Sequence, residues 1–302
     1  MGNDLSLGAA WMNGTVIPMS QAKIPVNDWG LVHSDITYDV VPVIDGAFFR
    51  FDEYLTRFLS SMENLHLDPG MSKRDIEVAL HQMVGKSSLR DSYVAMVCSR
   101  GKPKIAGSRD PRDCENHFFA WCVPYVHIIK PEIVEQGATA WIAQNAYRIP
   151  ENSVNPLVKN YHWGDFTQGI FEAKDKNYET VILLDYDGNI TEGPGFNVFA
   201  VKDEVLITPD RGVLAGVSRK TVLEMAEHLG INTSVRSLSV EELLDADEVF
   251  LSSSGGGVIP IIRVNERIFG NGASGPISVQ LNETYWKWTS LEKYRDPIDY
   301  AL

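Results

Sequence analysis

The chain has 302 residues, of which 44% are hydrophobic, enough for two domains of about 150 residues each. Its 40 acidic and 27 basic residues give a net charge of −13, which argues against nucleic acid or an anionic membrane as a partner. Three cysteines without a C-x-x-C pair predict neither a disulfide framework nor a zinc site. We expect a cytoplasmic protein, because a signal peptide and a membrane-spanning run are both absent from the pattern.

Two β-hairpins are predicted near the start of the chain. Asn13-Gly14 and Asp45-Gly46 each stand between two apolar runs, as tight hairpin turns do. Further strands are predicted at SYVAMVCSR and HFFAWCVPY. The segment between them is rich in glycine, proline and charge, and it is expected to be a loop.

Two helices are predicted after the second hairpin. Asp52 is the expected cap of the first, in which apolar residues recur at helical spacing as far as Leu65. Ser72 and Asp75 have the spacing of a capping box and predict the start of the second.

A change of texture after Pro124 predicts the domain boundaries. Residues 125–136 are the expected linker between a small domain over residues 1–124 and a larger one over residues 137–302. In the larger domain we predict helices at VSRKTVLEMAEHLG and VEELLDA, and strands at ATAWIAQ, TVILLD, FNVFAV, EVLITP and DEVFLSSS. Turns at 187–188 and 202–203 favour antiparallel pairing over a βαβ array. The fold class predicted is α+β, with two unlike domains.

Common catalytic motifs do not occur in the sequence. There is no G-x-G-x-x-G between a strand and a helix, no P-loop and no G-x-S-x-G elbow, which disfavours nucleotide binding and serine hydrolysis. The seven histidines show no paired metal spacing, so no metal is expected.

Four features of the second half are ambiguous when each is taken alone. Lys159 lies in PLVKNYHWGDFTQGI among aromatic residues, yet most single lysines are solvated surface charges. Glu192, in NITEGPGFNVF, is by default an exposed turn residue. The run GVSRK opens a helix that either is capped by Ser218 or binds an anion. The run SSSGGG is either a flexible turn or a phosphate-binding nest.

Together, the order of these features resembles the fold-type IV pyridoxal phosphate enzymes, which include branched-chain and D-amino-acid aminotransferases. The resemblance covers almost the whole chain. The runs HSDITYDVVPVIDGAFFRFDEYLTRF, VKNYHWGD, ITPDRGVLAGVSRKTV and DADEVFLSSSGGGVIP look most like the (R)-selective amine transaminases. This implies a small N-terminal α/β sandwich domain, a larger C-terminal pseudo-barrel domain, and a homodimer with its active sites at the subunit interface.

The resemblance also implies roles for individual residues. Lys159 would bond covalently to the aldehyde of pyridoxal 5'-phosphate and move a proton during catalysis. Glu192 would pair with the ring nitrogen of the cofactor, and Arg57 would bind its phosphate. The remaining cofactor-binding residues implied are Leu214, Val217, Ser218, Ser253 and Ser254.

For the substrate, the resemblance implies two apolar pockets of unequal size and transfer of an amino group from an (R)-amine, or from D-alanine, to a keto acid such as pyruvate or to a ketone. The residues expected to line these pockets are His33, Tyr38, Val40, Tyr93 and Trp163. An arginine that some amine transaminases use for the acceptor carboxylate aligns with Ala106, and Lys104 or Arg109 could replace it or be solvated loop charges.

Two other departures and several alternatives remain. Pro194 stands where relatives carry a small residue, and Ser253-Ser254 replaces the more usual pair of threonines.

A D-amino-acid or branched-chain aminotransferase is the first alternative function, although VKNYHWGD lacks the glycine pair that follows the lysine in branched-chain enzymes. An aminodeoxychorismate lyase type of enzyme and a non-catalytic protein of this fold are the others.

Overall fold

The computed structural model describes residues 4–301. Up to residue 124 its helices and strands are β1 (Ala9–Met12), β2 (Thr15–Pro18), α1 (Trp29–Val32), β3 (Ile36–Ile44), β4 (Ala47–Phe49), α2 (Phe51–Asn64), α3 (Lys73–Ser87), β5 (Ser92–Pro103) and β6 (Cys114–Pro124). They are followed by α4 (Pro131–Gln136), β7 (Ala138–Tyr147), α5 (Gly164–Asp175), β8 (Thr180–Leu184), β9 (Glu192–Gly193), β10 (Phe196–Lys202), β11 (Val205–Thr208), α6 (Val217–His228), β12 (Thr233–Val235), α7 (Val240–Leu244), β13 (Glu248–Ser253), β14 (Gly257–Val264), β15 (Arg267–Ile268), α8 (Pro276–Trp288) and β16 (Arg295–Pro297).

The chain forms two compact units. The first contains the chain up to Val126, the segment Val158–His162 and the chain from Leu291 onward, and the second contains His127–Leu157 and Trp163–Ser290. The segment Val158–His162, which carries Lys159, therefore belongs to the first unit, although the chain segments before and after it belong to the second.

The first unit is built on an antiparallel sheet of order β16-β4-β3-β5-β6-β1-β2. Both predicted hairpins are present, and Asn13 and Asp45 have the positive φ values of 51° and 47° that such turns require. Helices α2 and α3 pack against strands of this sheet. Because side chains alternate along a strand, the side chains that point away from α2 and α3 line the opposite face of the sheet.

The helix starts of the first unit differ in how well they were predicted. The capping box of Ser72 and Asp75 is present at α3. At α2 the prediction was wrong by two residues, because the cap position is Arg50, with φ 55°, and Asp52 lies inside the first turn. A first-turn carboxylate favours a helix through its dipole without capping it, and this accounts for the misassignment. The predicted loop is also shorter, since β5 runs to Pro103 and β6 starts at Cys114.

The second unit contains a mixed sheet of order β12-β11-β10-β13-β14-β7-β8, with β15 beside β14 and β9 beside β10. The turn at 202–203 joins the antiparallel pair β10 and β11, as predicted. The preference for antiparallel pairing over a βαβ array holds for β10, β11, β13 and β14 but not for the whole sheet. Strands β7 and β8 are parallel, and α5 between them, which the sequence analysis did not predict, packs on both.

One buried cluster of the second unit consists mainly of aliphatic side chains and also includes Phe196 and Phe269. Among residues 4–301, no helix is both long and apolar enough to cross a membrane. The same residues contain no group of three or more histidine, cysteine, aspartate or glutamate side chains that could hold a metal ion.

Candidate active site

In the first unit, Lys159 is tied to strand β3 through its backbone. Its carbonyl oxygen accepts hydrogen bonds from Thr37 Oγ1 at 2.6 Å and from the Tyr38 N–H at 3.3 Å. Its own N–H donates to Ser61 Oγ on α2 at 3.4 Å. Asn160 forms an antiparallel bridge with Thr37, so the lysine backbone lies beside strand β3. The backbone of Lys159 is therefore fixed by the sheet.

The side chain of Lys159 lies against an aromatic pair. Its Nζ is 4.7 Å from the centre of the Tyr38 ring, and Tyr38 stacks on Tyr161 with ring centres 4.1 Å apart and planes 10° apart. An ammonium over a ring face is attracted by the ring quadrupole. The aromatic setting expected from the sequence is therefore present.

Around this lysine the face of the sheet is apolar. In the strand register, Tyr38 pairs with Val97 and Val40 pairs with Ala95. These residues pack in one cluster with a shared lining of aromatic and aliphatic side chains, whose other members are Ile36, Tyr93, Phe119, Trp121 and Tyr161. The predicted pocket residues Tyr38, Val40 and Tyr93 are thus brought together, and the sequence analysis missed Phe119 and Trp121.

Two tyrosines of this cluster stay neutral at ordinary pH. Burial raises the pKa of Tyr93, and the nearby Tyr38 and Asp39 raise it further. Burial likewise raises the pKa of Tyr161. Each phenol therefore keeps its proton and can donate a hydrogen bond. The predicted pocket residue His33 is exposed at the end of α1, and its ring packs edge-on against Trp29 with the ring centres 4.6 Å apart.

Arg57 lies on α2 and is paired with a carboxylate that the sequence analysis did not single out. Its Nε donates to Asp39 Oδ2 at 2.8 Å and its Nη2 donates to Asp39 Oδ1 at 2.7 Å. Burial lowers the pKa of Arg57, but the charge and hydrogen bonds of Asp39, together with Tyr54 and Tyr38, outweigh burial and raise the pKa overall. Asp39 follows Tyr38 on β3, so alternation places it on the side of the sheet where α2 packs.

The loop of the predicted acceptor site is exposed. Lys104 and Arg109 are both solvent-accessible, as is Ala106 between them. The Lys104 N–H donates to the Asp113 carbonyl at 3.0 Å and holds the base of the loop. Whether either side chain binds a carboxylate stays a prediction.

In the second unit, Glu192 is a buried carboxylate, not an exposed turn residue. It is 5% exposed, and its Oε1 accepts from Arg148 Nε at 3.1 Å. Its Oε2 accepts from the Leu214 N–H at 2.9 Å. Hydrogen bonds to the charged form favour ionisation, so the geometry suits a carboxylate that meets a cation.

The start of helix α6 approaches strand β10 closely. Its cap residue is Gly216, which has no side chain with which to cap the helix. A Cβ at Gly216 would lie only 2.2 Å from Asn197 Oδ1, so a larger residue here would force the Asn197 side chain to move. Val217 and Ser218 occupy the first turn, where backbone N–H groups and the helix dipole favour an anion. Asn197 Nδ2 also donates to the Leu214 carbonyl at 2.9 Å.

The serine-rich strand end after β13 is an ordered turn. Ser253 Oγ donates to the Gly195 carbonyl at 2.8 Å and accepts from the Gly255 N–H at 3.1 Å. The hydrogen of this hydroxyl is therefore engaged within the second unit. Ser254 is half-buried beside it.

Trp163 directly precedes α5, and its ring meets the Phe166 ring edge-on with the ring centres 5.4 Å apart.

The family model for amino-transferase class IV matches residues 37–264 of this chain. The chain belongs to the class IV aminotransferase family. Among curated relatives, it is 28% identical to a putative branched-chain-amino-acid aminotransferase of Methanocaldococcus jannaschii, over 91% of this chain and 94% of that protein. It is also 28% identical to a D-alanine aminotransferase of Bacillus licheniformis, over 88% of this chain and 92% of that protein.

Solved structures of class IV aminotransferases have the same fold. A branched-chain aminotransferase of Thermoproteus uzoniensis, solved with norvaline, aligns with a TM-score of 0.87 at 26% identity, over 96% of this chain and 99% of that one. The Thermus branched-chain aminotransferase solved with pyridoxamine 5'-phosphate aligns with a TM-score of 0.90 at 24% identity, over 97% and 99% of the two chains.

Family membership confirms several expectations from the sequence. The fold is that of the fold-type IV aminotransferases, and the protein is a class IV aminotransferase. The structure that aligns with a TM-score of 0.90 contains pyridoxamine 5'-phosphate. The relatives named above are branched-chain and D-alanine aminotransferases, so they do not distinguish an amine substrate from an amino acid.

Proposed function

We propose that this class IV aminotransferase transfers the amino group of an (R)-amine, or of D-alanine, to pyruvate or a related keto compound. The observation that carries the proposal is the apolar face beside Lys159. Its lining includes the aromatic and aliphatic side chains of Tyr38, Val40, Tyr93 and Trp121, which pack in one cluster. A surface of this kind selects substrates by shape and volume, and it suits an amine with two unlike apolar substituents.

The side chains described fit pyridoxal phosphate. The first unit supplies a lysine and an arginine. The second unit supplies a buried carboxylate and the start of a helix. When bound, the cofactor takes up the amino group and the electron pair that remains when the substrate carbon loses its proton.

In the first unit, we assign the proton transfer to Lys159 Nζ, which as a neutral amine would accept the proton that the substrate carbon loses and then donate it to the carbon of the cofactor that takes up the amino group. The contacts of its backbone with β3 and α2 hold the segment that carries this amine. Arg57 would bind the phosphate. The guanidinium has five N–H donors, and Asp39 takes two of them at fixed angles, so the arginine is oriented for a planar contact.

In the second unit, Glu192 would hold a proton on the ring nitrogen. The carboxylate is oriented for this role by its hydrogen bonds from Arg148 Nε and from the Leu214 N–H. The first turn of α6, at Val217 and Ser218, would bind phosphate oxygens through N–H groups. Leu214 would pack beside the ring, and Ser253 and Ser254 would lie near the phosphate.

Substrate selection would rest on the aromatic cluster. In the first unit, Tyr38, Val40 and Tyr93 would line the pockets, with His33 as a further candidate, and Trp163 is the candidate in the second unit. Tyr38 is held by Tyr161, so its ring cannot turn aside without breaking a stack. A rigid wall distinguishes the two enantiomers of an amine by steric exclusion.

The alternative is a D-amino-acid or branched-chain amino-acid aminotransferase, and the curated relatives favour it. An amino acid needs a cation or backbone donors for its carboxylate. Lys104 and Arg109 are the candidates in the first unit, on the exposed loop between β5 and β6. The two functions therefore differ in whether a substrate without a carboxylate is used.

The test is a substrate panel with purified holoenzyme. Both enantiomers of 1-phenylethylamine and of alanine are offered with pyruvate or 2-oxobutyrate as acceptor, and L-leucine is offered with 2-oxoglutarate. Turnover of (R)-1-phenylethylamine without turnover of its (S)-enantiomer supports the proposal. Rapid turnover of L-leucine with no turnover of either amine would overturn it in favour of the branched-chain activity.

A variant pair separates the pocket from the loop. Val40→Phe should reduce kcat/KM for (R)-1-phenylethylamine at least about tenfold, because it fills the apolar face, whereas Lys104→Ala should leave kcat/KM for this amine unchanged. If Lys104→Ala and Arg109→Ala raise KM only for acceptors with a carboxylate, the loop binds the acceptor.

A further inference from the structure

Three charged side chains are in direct contact in the second unit. Arg148 Nε donates to Glu192 Oε1 at 3.1 Å, and Arg148 Nη1 donates to Asp165 Oδ2 at 2.6 Å. The side chains of Arg148, Glu192 and Asp165 are 9%, 7% and 6% exposed. Buried charges are retained only where they are paired and hydrogen-bonded. We call these three residues the Arg148 triad.

Each member of the triad is held by its surroundings. The Arg148 N–H donates to the Leu184 carbonyl at 2.8 Å, and the guanidinium carbon lies 4.3 Å from the centre of the Phe166 ring. Asp165 accepts from the N–H groups of Ile149 and Phe166 at 3.0 and 2.8 Å. Arg148 is thus fixed at both ends before it reaches Glu192.

The charges of the triad do not cancel. Two carboxylates and one guanidinium leave a net charge of −1, which a single cation at Glu192 would neutralise. Arg219 also interacts electrostatically with Glu192, although burial lowers the pKa of that arginine. Within the triad itself, the pairing with Arg148 leaves one negative charge.

We propose that Arg148 and Asp165 are positioning residues for Glu192. Arg148 holds the carboxylate in one orientation, and Asp165 cancels the charge of Arg148 so that Glu192 keeps its attraction for a protonated ring nitrogen. Without Asp165, the guanidinium would compete with the cofactor for the same carboxylate. This inference rests on the proposed role of Glu192.

The test uses three variants of the full chain, Asp165→Asn, Arg148→Lys and Arg148→Met. The first readout is the dissociation constant of pyridoxal 5'-phosphate, measured by fluorescence on the apoenzyme. The second is the 15N NMR signal of the ring nitrogen in the holoenzyme as a function of pH, which reports directly whether that atom is protonated.

For Asp165→Asn we expect the ring nitrogen to lose its proton at a pH about one unit lower than in the wild type, which is a tenfold loss of proton affinity. For Arg148→Met we expect the dissociation constant to rise at least about tenfold. Arg148→Lys should recover part of this loss, since it keeps the charge but cannot contact both carboxylates as a planar fork does.

Glu248→Ala is the matched control, because Glu248 is a buried carboxylate of the same unit that contacts the start of α8 instead of the triad. It should lower stability without changing either readout. Wild-type values for Asp165→Asn in both readouts would overturn the inference, and this variant, with nearly the same shape, decides the matter even if Arg148→Met does not fold. If the wild type itself binds no cofactor or shows an unprotonated ring nitrogen, the proposed function of Glu192 fails instead.

Discussion

The guanidinium of Arg57 is held by Asp39 through two parallel hydrogen bonds of 2.8 and 2.7 Å, and the Asp39 side chain is fully buried. A paired guanidinium and carboxylate of this geometry have few other orientations. Asp39 is therefore an integral part of the proposed phosphate site.

Replacing Asp39 by alanine should destabilise the protein and weaken cofactor binding. Breaking a buried ion pair leaves an uncompensated charge and costs roughly 3–5 kcal/mol in the free energy of unfolding. Urea denaturation and the dissociation constant of pyridoxal phosphate measure the two effects. Asp39→Asn keeps the shape and should lose less stability. An unchanged dissociation constant in both variants would show that Arg57 does not need Asp39 to bind phosphate.

Replacing Lys159 by alanine should abolish turnover, with kcat reduced at least about 10³-fold, because the amine provides both covalent attachment and proton transfer. Borohydride treatment should link the cofactor irreversibly to the wild-type protein, which mass spectrometry detects, but not to Lys159→Ala. Lys86→Ala, at an exposed lysine of α3, is the control and should behave as the wild type. Measurable transamination by Lys159→Ala would contradict the mechanism.

The first N–H groups of helix α8 are bound by a carboxylate from strand β13. Glu248 on β13 accepts from the N–H groups of Ile277 and Ser278 at 3.0 and 2.8 Å, and a Cβ at Gly275 would lie 2.0 Å from its carboxyl carbon. Glu248→Ala should cost about 1–3 kcal/mol of unfolding free energy, since it removes a cap and leaves buried donors unsatisfied.

The control for this prediction is Glu283→Ala on the exposed side of α8, where the carboxylate lies 3.6 Å from Lys287. It should change the unfolding free energy by no more than about 0.5 kcal/mol. Equal effects of the two substitutions in urea denaturation would rule out capping by Glu248.

Acid sensitivity of the first unit should depend on Asp28. Burial raises the pKa of this carboxyl group, but hydrogen bonds from His117, Ser99 and Gly30 outweigh burial and lower it overall. The group therefore contributes stability above its unfolded pKa of about 3.9, and this contribution is lost as the pH falls through the lower folded pKa.

Asp28→Asn should consequently be less stable than the wild type at pH 7, and the difference should shrink as the pH falls below about 4. Thermal unfolding at several pH values measures this difference. Asp52→Asn, at an exposed carboxylate on α2, serves as the control. A stability difference that stays constant from pH 7 to pH 3 would contradict the assignment.

Local chemistry alone predicted much of the fold. The hairpin turns at Asn13-Gly14 and Asp45-Gly46 follow from residues that tolerate positive φ, and the start of α3 follows from a capping box. The family was also recognisable from the sequence, because short runs around a lysine, a glutamate and two glycine-containing turns occur in a specific order. Each of these signals is contained in a run of a few residues, so it needs no tertiary contact to be recognised.

Other features were decided only by tertiary structure. Nothing near Glu192 in the sequence indicates that the carboxylate is buried and held by Arg148, a residue 44 positions away. The pairing of Arg57 with Asp39 similarly joins a helix to a strand. The segment of Lys159 packs with the first unit, apart from its chain neighbours. A sequence records which groups are available, but burial and pairing depend on contacts between distant segments, and these contacts determine the charge and orientation of the proposed catalytic groups.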